Sequence, residues 1–460
     1  MIESDRFDFL IIGAGQAGIP LAHDLAKAGK RVALAEKKDL GGSCVNFGCT
    51  PTKAVIASAR VAHLARRGKE FGLNIPTVEV DFPAVLARAR QILIESRTGL
   101  QKGFEKTDNP KLLHGSAHFD GREMDGFRVA IGNQLVVAEQ VVLDTGTRST
   151  IPRIEGLDKV SFISAENWLD TTKLPEHLVI IGGGYIGLEM SQFYRRMGSR
   201  VTVIEAADQV AGHEDRDVAT AFQHSLEAEG IEFCLNTNVK LVAGTQESVK
   251  VTVEKDNKSS TIGASHLFVA TGRTPNTEDL GLETIGVKVS DHGIVAANEQ
   301  LATNVEGVWV AGDIRGGPMF THTSWDDYRI LLSQLAGDGS RTTDRVVPYA
   351  IFTDPELGRV GLTESEARNS REEIKVGRYE MKGNGKAREL GETEGFIKVI
   401  INAKTNRILG AAVLSSDAAE LIHMYVDLMN ADAPYTVIYD AIHIHPTLAE
   451  AIQSVMKSFE

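Results

Sequence analysis

Cysteine is scarce, with three residues in 460. So few cannot staple a chain of this length. That argues against a disulfide-built secreted scaffold and for a reducing compartment, where a close pair of thiols would be chemically active. Basic side chains are in deficit, 49 against 62 acidic ones, and the net charge of −13 repels nucleic-acid backbones and anionic lipid surfaces. No uninterrupted apolar run approaches the ~18 residues of a membrane helix, and the acidic opening 1–8 lacks the basic n-region of a secretion signal. Low-complexity segments are missing too. The expectation is a folded cytoplasmic protein with neither nucleic acid nor membrane as partner. What is present is an ordinary globular composition, 42% apolar and 24% charged, on a chain long enough for roughly three domains of about 150 residues.

One unit occurs twice. A short apolar strand at 7–12 is followed by Gly13, Gly15 and Gly18, a helical run at 19–28 and a second strand at 31–36 ending on Glu36. Further on, a strand at 178–181 leads to Gly182, Gly184 and Gly187, a helix to about Met197, and a strand at 200–205 ending on Glu205. Glycines between strand and helix permit the tight turn and let a pyrophosphate approach the helix N-terminus, and the acid closing the next strand is placed to bind a ribose. One such fingerprint is weak evidence, since a plain strand-turn-helix can carry it. Two with the same parts in the same order imply two dinucleotides. Glu205 hydrogen-bonds a free 2′-hydroxyl and repels a 2′-phosphate, so the second site is expected to prefer NAD(H) to NADP(H). Between the units, 52–68 and 82–104 read as long helices, and short strands at 127–131 and 134–142 run into Asp144-Thr145-Gly146. Strands at 265–270 and 308–311 deliver similar glycine turns at Gly272 and Gly312. From about residue 345 strands at 349–352, 395–401 and 408–413 alternate with helices at 363–369, 418–428 and 448–457, a separate α/β domain.

The most specific stretch is Gly41-Gly-Ser-Cys44-Val-Asn-Phe-Gly-Cys49-Thr-Pro-Thr-Lys53. On one regular helix two cysteines five apart point about 140° apart, too divergent to bond, although Gly48 allows a distortion that could close the pair. A helix beginning near Pro51 would lower a thiol pKa through its dipole. Inert buried cysteines or half a zinc site are the alternatives. Zinc needs two more ligands, and Cys234 alone does not supply them. The position directly after a dinucleotide unit favours redox chemistry.

With these motifs in view, the chain resembles the pyridine nucleotide-disulfide oxidoreductases, the family of dihydrolipoamide dehydrogenase, glutathione reductase and mercuric reductase. The resemblance runs from Gly13 to Glu450, through the cysteine segment, both fingerprints, Ala270-Thr-Gly-Arg-Thr-Pro-Asn276, Gly312-Asp313 and His445-Pro-Thr-Leu-Ala-Glu450. It implies an α/β fold of two Rossmann-like domains, one for FAD (1–147 and 271–344) and one for NAD(P) (148–270), with an α/β dimerisation domain (345–460). It also implies electron flow between nicotinamide, FAD, a Cys44–Cys49 disulfide and substrate. Cys49 matches the thiolate lying against the flavin and Cys44 the thiol that exchanges with substrate. Lys53 and Glu189 match an ion pair beside the flavin, Tyr185 an aromatic cover over it, and Asp313 the carboxylate on its ribityl chain. Gly146 and Gly272 match glycines of the cofactor sites. His445, steadied by Glu450, matches the acid-base histidine that reaches the other subunit's active site, so a homodimer follows; the nearby His443 is expected to be structural.

Within the family, the His445 motif and Glu205 are most similar to dihydrolipoamide dehydrogenase. Mercuric reductases typically carry a C-terminal cysteine pair, and this sequence ends 455–460 without one, so efficient mercury reduction is not expected. The leading expectation is an NAD-linked flavoprotein acting on a dithiol or disulfide of lipoamide type. The alternatives are an NAD(P)H-dependent reductase of Hg(II), a quinone or another small disulfide, and a subunit working mainly inside a larger dehydrogenase complex.

Overall fold

A computed structural model of the chain describes residues 5–123, 125–245 and 247–459. The first four residues of the acidic opening and the final Glu460 lie outside it. Strand Asp5–Ile12 is the centre of a seven-stranded sheet. It pairs in parallel with Val32–Glu36 on one side and Gln134–Leu143 on the other, and Lys111–His114 extends the sheet beyond Val32–Glu36. Buried on both faces, these strands read as near-continuous apolar runs. The antiparallel strands Gly126–Ile131 and Ala117–Glu123 complete one edge, and Val308–Val310 returns late in the chain to pair with Gln134–Leu143. The first dinucleotide unit is therefore closed by residues far along the sequence.

The second unit is a four-stranded parallel sheet, with His177–Ile181 flanked by Arg200–Ile204 and His266–Val269, and Ile231–Cys234 at the edge. A three-stranded antiparallel sheet spanning Asn238–Thr245, Ser248–Lys255 and Lys258–Ala264 packs beside it. No strands are expected here from the sequence, because Lys258–Ala264 buries none of its residues and Asn238–Thr245 only one, so the polar, lysine-rich stretch carries little apolar alternation. The last part of the chain builds a five-stranded antiparallel sheet from Pro348–Ile351, Glu356–Gly361, Ile374–Glu380, Phe396–Asn402 and Ile408–Ser415. The single helix expected at 418–428 is two, Ala418–Leu421 and His423–Asn430.

Two helices join the units. Cys49–Arg66 buries Ala54, Val55, Ala59 and Ala62 against Phe82, Leu86, Ala89 and Leu93 of Phe82–Glu105. Small residues on the first helix let the larger ones on the second approach closely. Asp81 starts the second helix by accepting the Ala84 N–H at 3.0 Å, the ordinary N-cap bond.

Candidate active site

The two glycine loops are built alike. Gly13 and Gly182 both have φ near +110°, and a Cβ at either would stand 2.1 and 2.3 Å from the carbonyl oxygens of Asp144 and Ala270 respectively. Only glycine fits there. Gly18 and Gly187 sit behind the loops, each packed against the carbonyl of the loop's first glycine. The acid closing the second strand does the same work in each copy. Glu36 Oε2 accepts the Ala14 N–H at 3.0 Å and Oε1 the Lys38 N–H at 2.8 Å; Glu205 Oε2 accepts the Gly183 N–H at 2.7 Å and Oε1 the Ala207 N–H at 2.8 Å. Both carboxylates are thus fixed at the mouth of their loop.

The copies differ in one respect. Asp144 stands where the second unit has Ala270, and it is buried, with Oδ2 accepting the Gly18 N–H at 2.8 Å. Burial pushes its carboxyl well above the usual range, and the nearby Asp313 and Asp327 add to the shift. Sequence reading passed over it as a turn residue. The available signal was an aspartate directly after the apolar run 141–143 that ends the strand Gln134–Leu143.

A single cavity of about 3150 Å³ connects the two loops. Gly13, Gly15, Glu36, Cys44, Cys49, Lys53, Gly146 and Asp313 line it, together with Gly182, Gly184, Tyr185, Glu189, Glu205 and Gly272. Its first end lies at the N-terminus of helix Gly18–Lys27 and its second at that of Tyr185–Met197, the positions that receive pyrophosphates. Glycine backbones and a fixed acid at each end fit two dinucleotides.

The cysteines are not on one helix. Cys44 lies in the short helix Gly42–Asn46, the chain breaks at Phe47 and Gly48, and Cys49 is the first residue of the helix Cys49–Arg66. That helix starts two residues earlier than expected, so the thiol meets its N-terminus directly. Both cysteines are free thiols, close enough to share a hydrogen bond, which acts oppositely on the two. The bond from Cys44 pulls Cys49 down to about 6; burial opposes this, and Thr321 and the Lys53 charge assist. The same bond, then burial, pushes the Cys44 thiol up. The shared bond and the surroundings thus make Cys49 the more acidic of the two thiols. Thr321, which sequence reading missed, holds its Oγ1 at 3.1 Å from Cys49 Sγ and opens the sixteen-residue helix Thr321–Ala336.

Lys53 lies one turn along from Cys49, and its Nζ meets Glu189 Oε2 at 2.8 Å while covering the Phe352 ring at 4.4 Å. Glu189 Oε1 accepts the Phe352 N–H at 3.0 Å. Asp313 accepts the Thr147 hydroxyl at 2.9 Å, and burial raises its carboxyl despite Arg273 at 3.8 Å. His445 and Glu450 are not brought to these cysteines and do not line the cavity. His445 is largely exposed and precedes the helix Glu450–Ser454; its Nδ1 lies 2.9 Å from Glu450 Oε1, and the Thr447 N–H holds Oε2 at 2.9 Å. Beside it Ile442 and Ile444 expose their side chains.

Residues 7–327 match the pyridine nucleotide-disulphide oxidoreductases and residues 347–456 match the dimerisation domain of the same family. The chain belongs to this family and is accordingly an FAD-containing, pyridine-nucleotide-linked enzyme, with a domain that supports a homodimer. It is 33% identical over 456 residues to the probable pyridine nucleotide-disulfide oxidoreductase RclA of Escherichia coli K12, covering 98% of this chain and 99% of that one. It is also 33% identical to a dihydrolipoyl dehydrogenase of Cupriavidus necator, covering 98% and 97%. A structure of the Escherichia coli protein, described as an HOCl-induced flavoprotein disulfide reductase, superposes with a TM-score of 0.88, and its Cu(II) complex with 0.89, each at 33% identity over 98% of this chain and 99% of that one.

Proposed function

We propose that the chain is an NAD(H)-linked oxidoreductase of a thiol/disulfide substrate, in the manner of dihydrolipoamide dehydrogenase. The observation that carries this reading is the pair of thiols Cys44 and Cys49, within hydrogen-bond reach of each other, lining the cavity that joins the two glycine loops. When bound, FAD relays an electron pair between the nicotinamide and the cysteine pair. In thiol–disulfide exchange the sulfur displaced most readily is the one with the lower pKa. Once Cys44 and Cys49 are joined as a disulfide, an external thiolate therefore attacks Cys44 and releases Cys49, leaving Cys44 in mixed disulfide with the substrate. The second substrate thiol then displaces Cys44. His445, reaching the dithiol of the other subunit, takes the proton of the attacking thiol at Nε2, since its Nδ1 is committed to Glu450. Lys53, paired with Glu189, places positive charge beside the flavin site, and Tyr185 covers the nicotinamide side.

We assign the domain roles within the expected limits, 1–147 and 271–344 for FAD, 148–270 for the nicotinamide dinucleotide and 345–460 for the dimer. Preference for NAD(H) is supported by the fixed Glu205 and by Ala206 and Ala207 beside it, which offer no cation to a 2′-phosphate. The E205S variant is expected to narrow the ratio of kcat/KM for NADH over NADPH by about tenfold or more, the scale of one charged contact.

A second reading has a specific basis. Likeness to RclA, one structure of which is a Cu(II) complex, favours a metal ion or another non-lipoyl acceptor reduced at the same cysteines. Steady-state assay of purified holoenzyme decides between them: dihydrolipoamide with NAD⁺, against NADH with lipoamide, glutathione disulfide, a quinone, Hg(II) and Cu(II). Lipoamide turnover no better than that of C44S removes the first reading, and C44S-sensitive NADH consumption with Cu(II) alone establishes the second.

A further inference from the structure

Three rings from distant parts of the chain form a wall beside the second glycine loop. Tyr185 opens the helix after that loop, Phe320 precedes Thr321, and Tyr349 lies on Pro348–Ile351. Ring centroids are 5.5 Å apart for Tyr185 and Tyr349, 5.9 Å for Tyr185 and Phe320, and 5.4 Å for Phe320 and Tyr349, with planes inclined by 26°, 19° and 11°. Tyr185 therefore stacks against both other rings.

Tyr349 is in turn tethered. Its hydroxyl donates to Glu214 Oε1. The Glu214 side chain is wholly inaccessible, and its Oε2 accepts Arg359 Nε at 3.1 Å with Nη2 at 2.8 Å; the Arg359 side chain is 1% exposed. The residues that follow extend the hold. Asp215 accepts the N–H groups of Glu364 and Ser365 at 2.9 and 3.1 Å and pairs with Lys398 at 3.0 Å, while Asp217 pairs with Lys398 at 2.7 Å and Arg378 at 2.9 Å. Three acids at the start of the helix Arg216–Ala228 are thus clasped by three cations on the five-stranded sheet. A buried ion pair is poor evidence of stabilisation, since apolar side chains would fill the space as well. What this one provides is a fixed point for the Tyr349 hydroxyl.

We propose that Tyr349 is a positioning residue for Tyr185: tethered by Glu214 and Arg359, it stacks with Phe320 to hold the Tyr185 ring closed over the nicotinamide side of the flavin site. This rests on reading Tyr185 as the cover of that side. Nicotinamide entry must unstack Tyr185 from two rings, so the closed ring and the bound nicotinamide compete. Weakening the stack tightens nicotinamide binding by about two- to tenfold, the scale of one aromatic pair, and leaves the hydride-transfer rate alone.

The test compares wild-type, Y349A, Y349F and Y185A holoenzymes. Anaerobic stopped-flow reduction of the flavin against NADH concentration separates Kd from the limiting rate, and calorimetric titration of oxidised enzyme with NAD⁺ gives affinity without turnover. Y349A is expected to lower both dissociation constants two- to tenfold at an unchanged limiting rate, and Y185A to lower them as well. Y349F, which keeps the ring and loses the hydroxyl's bonds to Glu214 and to Tyr185, moves them the same way by less, and it carries the test should Y349A fail to fold. Affinities unchanged in both Tyr349 variants while Y185A shifts them overturn the proposal. So does a lower limiting rate at unchanged affinity. Unchanged affinity in Y185A instead overturns the reading of Tyr185 as a cover.

Discussion

Replacing Thr321 by valine tests how the Cys49 thiolate is held. The side chains are nearly isosteric, so the change removes one hydroxyl, 3.1 Å from Cys49 Sγ, and little else. Cys49 lies at about 6 chiefly through the bond from Cys44, with Thr321 the next group to lower it and Lys53 after that; burial and the Glu189 charge oppose them. A hydrogen bond to a charged group contributes ~1.5–3 kcal/mol, or about one to two pKa units. Because Cys44 remains as the stronger donor, the lower end applies, and the T321V midpoint is expected near ~7. At pH 7 the thiolate fraction then falls from about nine-tenths to about half. The assay is the long-wavelength thiolate-to-flavin absorbance of the two-electron-reduced holoenzyme, titrated anaerobically. In the wild type the band is expected at neutral pH and should disappear as pH falls through about 6; in T321V it should disappear about one unit higher, while T321S follows the wild type. Coincident titrations of T321V and wild type would refute the assignment, as would equal shifts in T321V and T321S.

Two other outcomes follow from the same geometry. Because burial raises the Asp144 carboxyl above its ordinary 3.8, the folded protein keeps a proton that the unfolded chain releases, so this group's contribution to stability falls as pH rises through that interval. D144N is expected to match the wild type at acid pH and, lacking that slope, to gain on it as pH rises, whereas D144A, which strips the Gly18 N–H of its acceptor, costs about 1–3 kcal/mol in denaturant unfolding; a loss in D144N equal to that in D144A would show the carboxylate to be charged. Mixing C44S and H445Q chains, each inactive as a homodimer, is expected to restore about a quarter of wild-type specific activity, since half of the dimers at random assortment are mixed and each mixed dimer contains one intact site. Recovery of none would place His445 outside the partner's active site.

Much of this was readable in the chain because it depends on residues close in sequence. Strand, glycine loop, helix and acid are consecutive, so both dinucleotide units announce themselves, and helix Phe82–Glu105 falls where the pattern places one, at 82–104. Pieces whose role depends on a distant neighbour were silent. Thr321 is one threonine among many until helix Thr321–Ala336 brings it to Cys49. Asp144 looks like a turn residue until the sheet sets it beneath Gly18, and Tyr349 looks like a strand residue until it meets Glu214.

The sequence by itself determined the two glycine fingerprints, the pair of cysteines and the family, because each is a local pattern whose chemistry is fixed by residue type and spacing. The family resemblance already pointed to Cys49 as the thiolate, and only the tertiary structure supplies a physical reason for it. The Cys49 thiol is lowered first by the bond from Cys44, brought close by the chain break at Phe47 and Gly48, then by Thr321 delivered from another helix and by the Lys53 charge, against burial and the Glu189 charge. Ionisation depends on the charges and dipoles that surround a group in space, and chain order does not specify them.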